Sequence, residues 1–290
     1  MKLGLVIASH GRPHILKEVL WSLASQFRIP DYTVLSAVVP EDIPDLRPSN
    51  IDVQLIFGDA GSSCQRNRGI AELVEKTDVI IFIDDDFIVG DNYFLNIETI
   101  FAQDSSIVGL NGMVIADGAS TPGFTFDEGL QLLRQYNREK VPNFIRDVKA
   151  MYGCNMAFRT AGIGAVRFDE RLPLYGWQED LDFCGALNGR GRIVLTNHIW
   201  GVHLGTKLGK GSEVRLGYSQ MVNPAYIARK GNMSPWFAFR LAFRNLLANL
   251  IKSIRPESYV DRRGRLRGNL IGILHLMKGQ MTPEYILKLK

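Results

Sequence analysis

The chain has 290 residues, 46% hydrophobic and 22% charged, with a formal net charge of +4. That is ordinary globular composition and argues against a disordered or fibrous chain. Its three cysteines, Cys64, Cys154 and Cys184, form no CxxC pair and no Cys/His cluster, which argues against a disulfide framework or structural zinc and suits a reducing, cytosolic setting.

No apolar run approaches the roughly 18 residues of a spanning helix, and the start "MKLGLVIA" lacks the zones of a signal peptide. Neither secretion nor a membrane span is therefore expected. The charge is uneven. Residues 1–228 carry 21 Lys and Arg against 27 Asp and Glu, net −6, while residues 229–290 carry 13 against 3, net +10. An acidic body with a basic tail suggests two jobs in two regions.

In chain order, "LGLVIA" (3–8) reads as a buried strand. Residues 13–26 read as a helix with Ile15, Val19, Trp21 and Leu23 on or near one face. Strands are expected at 32–39, 52–57 and 78–83, with a helix over 63–76 between the last two. Alternation of this kind predicts a parallel sheet covered on both faces. Further on, a helix is expected around 91–103, a strand over 106–116 and a Gly-rich flap over 117–129. A strand at 153–159, a helix over 176–191, and two strands, "RIVLT" and "HIWGVH", follow. The last sixty or so residues read as helical and basic.

In open parallel sheets, ligands bind beyond the carboxyl ends of the strands. The clusters "SHGRP" (9–13), "PED" (40–42), "GDAGSS" (58–63) and "DDD" (84–86) all fall there. Three adjacent carboxylates repel one another, and burying them unpaired is costly. A hard cation such as Mg²⁺ or Mn²⁺, shared with a substrate diphosphate, would relieve the repulsion. A solvated turn capping the next helix is the plainer alternative.

The ordered elements "ASHGRP", "GSSCQRNRGI", "FIDDDF", "GCNMAFR", "FDERL" and "GWQEDLDF" resemble those of family-2 glycosyltransferases with the GT-A fold, over about residues 3–230. The resemblance implies a Rossmann-like α/β fold, mostly parallel with flanking helices, over residues 1–231. A helical extension would occupy 232–290. It also implies metal-dependent, inverting sugar transfer from a nucleotide diphosphate donor, with a UDP-sugar favoured.

Carried over by residue, the resemblance makes Asp86 the leading metal ligand, with Asp84 at the metal or ribose side and Asp85 between. Ala8, Ser9 and Arg12 fall where the family cradles the base. Arg66 is either a donor contact or a partner of Asp59, which lies in the same nucleotide-side segment. Many members read uracil with an acidic pair after the second strand. Here Pro40 intrudes in "VVPEDIP", leaving Glu41 or Asp42 as the candidate.

Asp180, beside Glu179, is the expected base for the acceptor hydroxyl, although an acid at a helix start also favours the dipole. Trp177 offers either a sugar platform or a core side chain. His203 is either a third metal ligand or structural. Lys207 and Lys210 either close over the diphosphate or remain solvated.

In the tail, Trp236, Phe239, Phe243, Leu246, Leu247, Leu250 and Ile254 are expected on one helix face. Arg240, Arg244, Asn245, Asn249, Lys252 and Arg255 are expected on the other. Such a helix suits an anionic membrane surface at the inner face of the cell membrane. Packing on the catalytic body or a homodimer are the alternatives, and nucleic acid is not expected because no binding motif accompanies the arginines. The acceptor expected is a glycan or lipid-linked glycan of exopolysaccharide or surface-glycan synthesis. A sugar nucleotidyltransferase and a non-catalytic glycan- or membrane-binding module are the competing classes.

Overall fold

A computed structural model describes residues 1–207 and 212–289. Its strands and helices run β1 (Leu3–Ala8), α1 (Pro13–Ala24), β2 (Tyr32–Ala37), β3 (Val53–Phe57), α2 (Ser62–Leu73), β4 (Val79–Asp84) and β5 (Phe87–Val89). They continue with α3 (Tyr93–Gln103), β6 (Ile107–Asp117), α4 (Phe126–Gln135), β7 (Ile145–Asp147), β8 (Asn155–Arg159) and α5 (Thr160–Ile163). Last come α6 (Glu179–Ala186), β9 (Arg192–His203), α7 (Glu213–Lys230), α8 (Pro235–Lys252) and α9 (Arg262–Met277).

The strands form one sheet in the order β3-β2-β1-β4-β8-β6-β9-β5, with β7 also on β9. The half β3-β2-β1-β4 is parallel, as the alternation of strands and helices predicts. Beyond it, β8 runs antiparallel to both β4 and β6, while β9 lies parallel to β6.

Along β1, Leu3, Leu5 and Ile7 alternate onto the face covered by Leu16, Val19, Leu20 and Leu23 of α1 and Tyr93, Phe94 and Ile97 of α3. Val6 points to the opposite face, under α2. A Cβ on Gly69 would lie 2.4 Å from Val6, so only glycine lets that helix settle this close. Trp21 does not join the buried stripe. It is 51% exposed, because the i, i+3, i+4, i+7 pattern falls on Leu16, Val19, Leu20 and Leu23.

Packing divides the chain into two units. The first is Met1–Ala60, Gln65–Arg167 and Leu187–Gly209; the second is Gly61–Cys64, Phe168–Ala186 and Lys210–Lys290. The resemblance places the boundary at 231/232; by packing, α6 and α7 group with the C-terminal helices.

Within the second unit, α7 and α9 meet backbone to backbone. A Cβ on Gly217 would lie 2.0 Å from the Arg265 carbonyl oxygen, and one on Gly268 2.0 Å from that of Val214. Lys230 at the end of α7 lies 2.6 Å from both Asp169 and Asp182, tying α6 and the preceding loop to α7. Burial alone would raise the Asp169 carboxyl, but Lys230 and the Tyr226 hydroxyl outweigh it and hold its pKa below the usual range.

Three local expectations change. "RIVLT" and "HIWGVH" are one strand, β9, whose pairing with β6 shifts register between Gly112 and Met113. Such an irregularity makes one strand read as two. The segment 117–129 is not a free flap. Phe124 donates its amide to the Leu204 carbonyl at 2.9 Å, and α4 begins at Phe126 behind a Thr125–Glu128 capping box. Asn249 does not lie on a solvated face; it is 1% exposed.

Candidate metal and nucleotide site

Strand register assembles the acidic cluster. Ala8 at the end of β1 pairs with Asp84 at the end of β4, beyond which the chain turns through Asp85 and Asp86. It then enters β5, where Phe87 pairs with His203 of β9. Asp117, at the end of β6, pairs with His203 from the other side. Four strand ends therefore converge on one imidazole. The short strand β5 was not legible in the sequence, yet it brings "DDD" to His203.

The three aspartates have different surroundings. Asp85 turns inward and is fully buried. The Ser9 hydroxyl donates to it at 2.6 Å, and an Arg12 guanidinium nitrogen lies 2.7 Å away. Burial pushes the Asp85 carboxyl up, against the pull of Arg12. Asp85, expected as a donor contact, bonds Ser9 and Arg12 and holds both at the end of the sheet. Asp86 accepts from the Thr206 amide at 2.8 Å and from Arg12 at 3.3 Å. Burial would raise this carboxyl too, but His203, Arg12 and the Thr206 amide hold it well below the carboxylate range.

Asp84, Asp86 and His203 each offer a ligand atom, and these atoms lie within 4.8 Å of one another. His203 Nε2 is 3.5 Å from Asp86 and 3.9 Å from Asp84. Its Nδ1 lies 2.8 Å from Asp117, whose other oxygen accepts from the Tyr152 hydroxyl at 3.1 Å. A carboxylate only accepts, so Nδ1 carries a proton and Nε2 faces the two aspartates. Burial would lower the imidazole, but Asp117, Asp86 and Asp84 overcome this and push it up to about 10. The pocket holds positive charge strongly. Two carboxylates and an imidazole fit a divalent ion such as Mn²⁺ or Mg²⁺.

Sequence reasoning missed Asp117 and Tyr152. Their signal was only that Asp117 ends a strand beside the one carrying His203. A carboxylate behind a ligating histidine fixes its ring and raises its basicity. Asp117→Ala is expected to weaken Mn²⁺ binding about 10- to 100-fold without unfolding the protein. Electron paramagnetic resonance titration of free Mn²⁺ reads this, and unchanged affinity would contradict the arrangement.

The remaining residues expected on the nucleotide side divide into locked and open groups. Arg66 is nearly buried and donates to Asp84 and to the Gly153 carbonyl, both at 3.1 Å, so it orients Asp84. Asp59 is exposed, and its carbonyl accepts from Arg68. After β2, Glu41 is exposed while Asp42 is buried, so the two candidates there are unlike. Asp42 accepts from the amides of Gly11, Val38 and Val39, pinning the loop after β1 to the loop after β2. Burial would raise its carboxyl, but those amides keep it lowered. Lys207 donates to the Gly118 and Ala119 carbonyls at 3.1 and 2.8 Å. Lys210 lies outside the described residues.

Glu179, Asp180 and Trp177 belong to the second unit. Glu179 is buried, and Asp180 is partly exposed with one oxygen accepting from the Leu181 amide at 2.7 Å. Asp182 turns to Lys230 and Asn232, so the acidic crowd on this turn is spread over different partners. Trp177 is half-buried, and its carbonyl accepts from Asn223. The backbone here is unusual. Leu174 and Gln178 have φ of 58° and 77°, left-handed values that side chains other than glycine seldom adopt. The loop is held by Ser62, whose amide donates to the Leu174 carbonyl at 2.8 Å. Strain held in place beside Trp177 and Asp180 marks this loop as a functional candidate.

No family model and no curated protein matches the chain by sequence. Solved structures do match in fold. Residues 1–349 of TarS from S. aureus align with a TM-score of 0.56 at 13% identity, covering 100% of this chain and 83% of that one. GalNAc-T7, solved with UDP, GalNAc and Mn²⁺, aligns with a TM-score of 0.52 at 12% identity, covering 100% of this chain and 56% of that one. The chain has the GT-A fold, with a helical C-terminal region.

Proposed function

We propose that this protein is an inverting, family-2 type glycosyltransferase that moves a sugar from a nucleotide diphosphate, preferentially a UDP-sugar, to a glycan acceptor. The observation that carries the reading is the Asp84, Asp86 and His203 constellation at the carboxyl ends of the strands. The fold shared with GalNAc-T7, whose structure holds UDP, GalNAc and Mn²⁺, supports it.

Asp84, Asp86 and His203 would hold the ion. Bound there, it would supply positive charge to neutralise the diphosphate as a leaving group. Arg66 and Asp117 orient the two outer ligands, and Asp85 keeps Arg12 and Ser9 in place. Asp180 takes the proton of the acceptor hydroxyl. The hydroxyl oxygen forms the new bond to the anomeric carbon, whose bond to the phosphate oxygen breaks, and the nucleoside diphosphate leaves with the electron pair. A single displacement from the opposite face inverts the anomeric centre. Glu179 supports Asp180, and Trp177 offers a flat face to the acceptor sugar. The acceptor we assign is a lipid-linked glycan of surface or exopolysaccharide assembly, met at the inner face of the cell membrane.

The test is a thermal-shift panel of nucleotide sugars with Mn²⁺. A donor at about 100 times its Kd stabilises by about 2.7 kcal/mol, a shift of several degrees. UDP-sugars should give that shift only with the ion. No shift from any nucleotide sugar would contradict the reading.

A further inference from the structure

Helix α8 turns Ala238, Leu241 and Asn249 inward. Asn249 donates to Gln220 at 2.8 Å and to Asn269 at 2.9 Å, and Asn269 in turn donates to the Gly217 carbonyl at 2.7 Å. Arg262 donates to Asn249 at 3.1 Å. These amides join α7, α8 and α9 in a buried polar seam. Rolling α8 to bury its other face would strand them without partners, which is costly. The seam therefore forces the apolar face outward. Trp236 is 68% and Ile254 78% exposed, with Phe239, Phe243, Leu247 and Leu250 also exposed between them. The aromatic rings lie along one another, Trp236 on Phe239 at 5.8 Å and Phe239 on Phe243 at 6.0 Å. A stripe of this size on a protein surface marks an interaction site.

Charge says what covers it. The three acidic residues after Lys230 are engaged: Glu257 with Lys252 and Arg262, Asp261 as the cap of α9, and Glu284 with Arg171. Glu213 takes Arg265. Arg240 and Arg244 on α8, with Arg255, Arg263 and Arg267, remain exposed, and no acidic partner for them occurs among the described residues. A second copy bound across a two-fold axis would set this patch on its own image and press like charges together. Lipid phosphates complement the cations, and the acyl boundary complements the rings.

We propose that the outward face of α8 from Trp236 to Leu250, continued by Ile254 just beyond the helix, seats the protein on an anionic lipid surface. The proposal rests on the second unit alone and does not depend on the sugar chemistry. No helix among the described residues is long and apolar enough to cross a membrane, so attachment at this face would be peripheral.

Sedimentation of the full chain with vesicles tests this, using phosphatidylcholine alone or with one-quarter phosphatidylglycerol. Binding to the anionic vesicles is expected at least about fivefold above the neutral ones at low salt, and high salt should weaken it. Two double variants on exposed positions, checked for folding by circular dichroism, separate the contributions. Phe239→Ser with Phe243→Ser should lose binding at any salt. Arg240→Glu with Arg244→Glu should lose the anionic preference. Binding unaltered in both folded variants, or no binding to anionic vesicles at low salt, would overturn the proposal. So would a wild-type dimer that ignores vesicles and becomes monomeric on Phe239→Ser with Phe243→Ser, because the face would then join copies.

Discussion

Asp86→Ala is expected to abolish the Mn²⁺ dependence of UDP binding, lowering affinity in the presence of the ion by about 100-fold or more. Asp86 is the most constrained of the acidic ligands. Its carboxylate is fixed by the Thr206 amide and Arg12 and faces His203 Nε2. Removing it leaves Asp84 and His203, too few protein ligands to hold an ion against water. Arg12 keeps Asp85 as a partner, so the fold should survive. Asp86→Asn, which preserves the shape, should show the same loss. Calorimetry of UDP binding with and without Mn²⁺ reads the effect. A folded variant with unchanged Mn²⁺ dependence would remove Asp86 from the site.

Asp180→Asn should lower transfer by about two to four orders of magnitude while leaving donor affinity within about twofold. The substitution removes basicity and keeps an oxygen that can still accept from the Leu181 amide. A role confined to starting α6 would therefore survive it, whereas a role as proton acceptor would not. The discriminating readout is the split between rate and binding. Transfer near the wild-type rate would rule out the base, and a fall in thermal stability with no separate loss of rate would assign Asp180 to the helix start.

The parallel half of the sheet was legible because its central strands are continuous apolar runs followed by polar loops. Beyond Asp86 the signals weaken. β5 is three residues long, too short to show a strand period of its own. α4 lies in a segment whose glycines suggested a loop. Asp84 and Asp86 could be named as ligands through the family resemblance, and His203 only as either a ligand or a structural residue. Asp117 could not, because its importance comes from a strand pairing across 86 residues. Neither could the opposite fates of neighbours: Asp85 buried against Arg12, and Asp42 locked by three amides beside an exposed Glu41. In the tail the apolar stripe was visible, but the burial of Asn249 depends on amides from α7 and α9. The four arginines of "DRRGRLRG" look alike in sequence. In the structure Arg262 and Arg265 are taken by Glu257 and Glu213, while Arg263 and Arg267 remain exposed.

Product analysis by phosphorus NMR tests the central claim most directly. The full chain would be incubated with a UDP-sugar and Mn²⁺, with and without a chelator. Metal-dependent release of UDP, by slow hydrolysis or faster transfer to a supplied glycan, is the result predicted. Pyrophosphate would instead mean chemistry at the nucleotide phosphate. An intact donor, tested across the UDP-, GDP- and dTDP-sugars, would mean a site that binds without reacting. Either outcome would contradict the assignment of this site to sugar transfer.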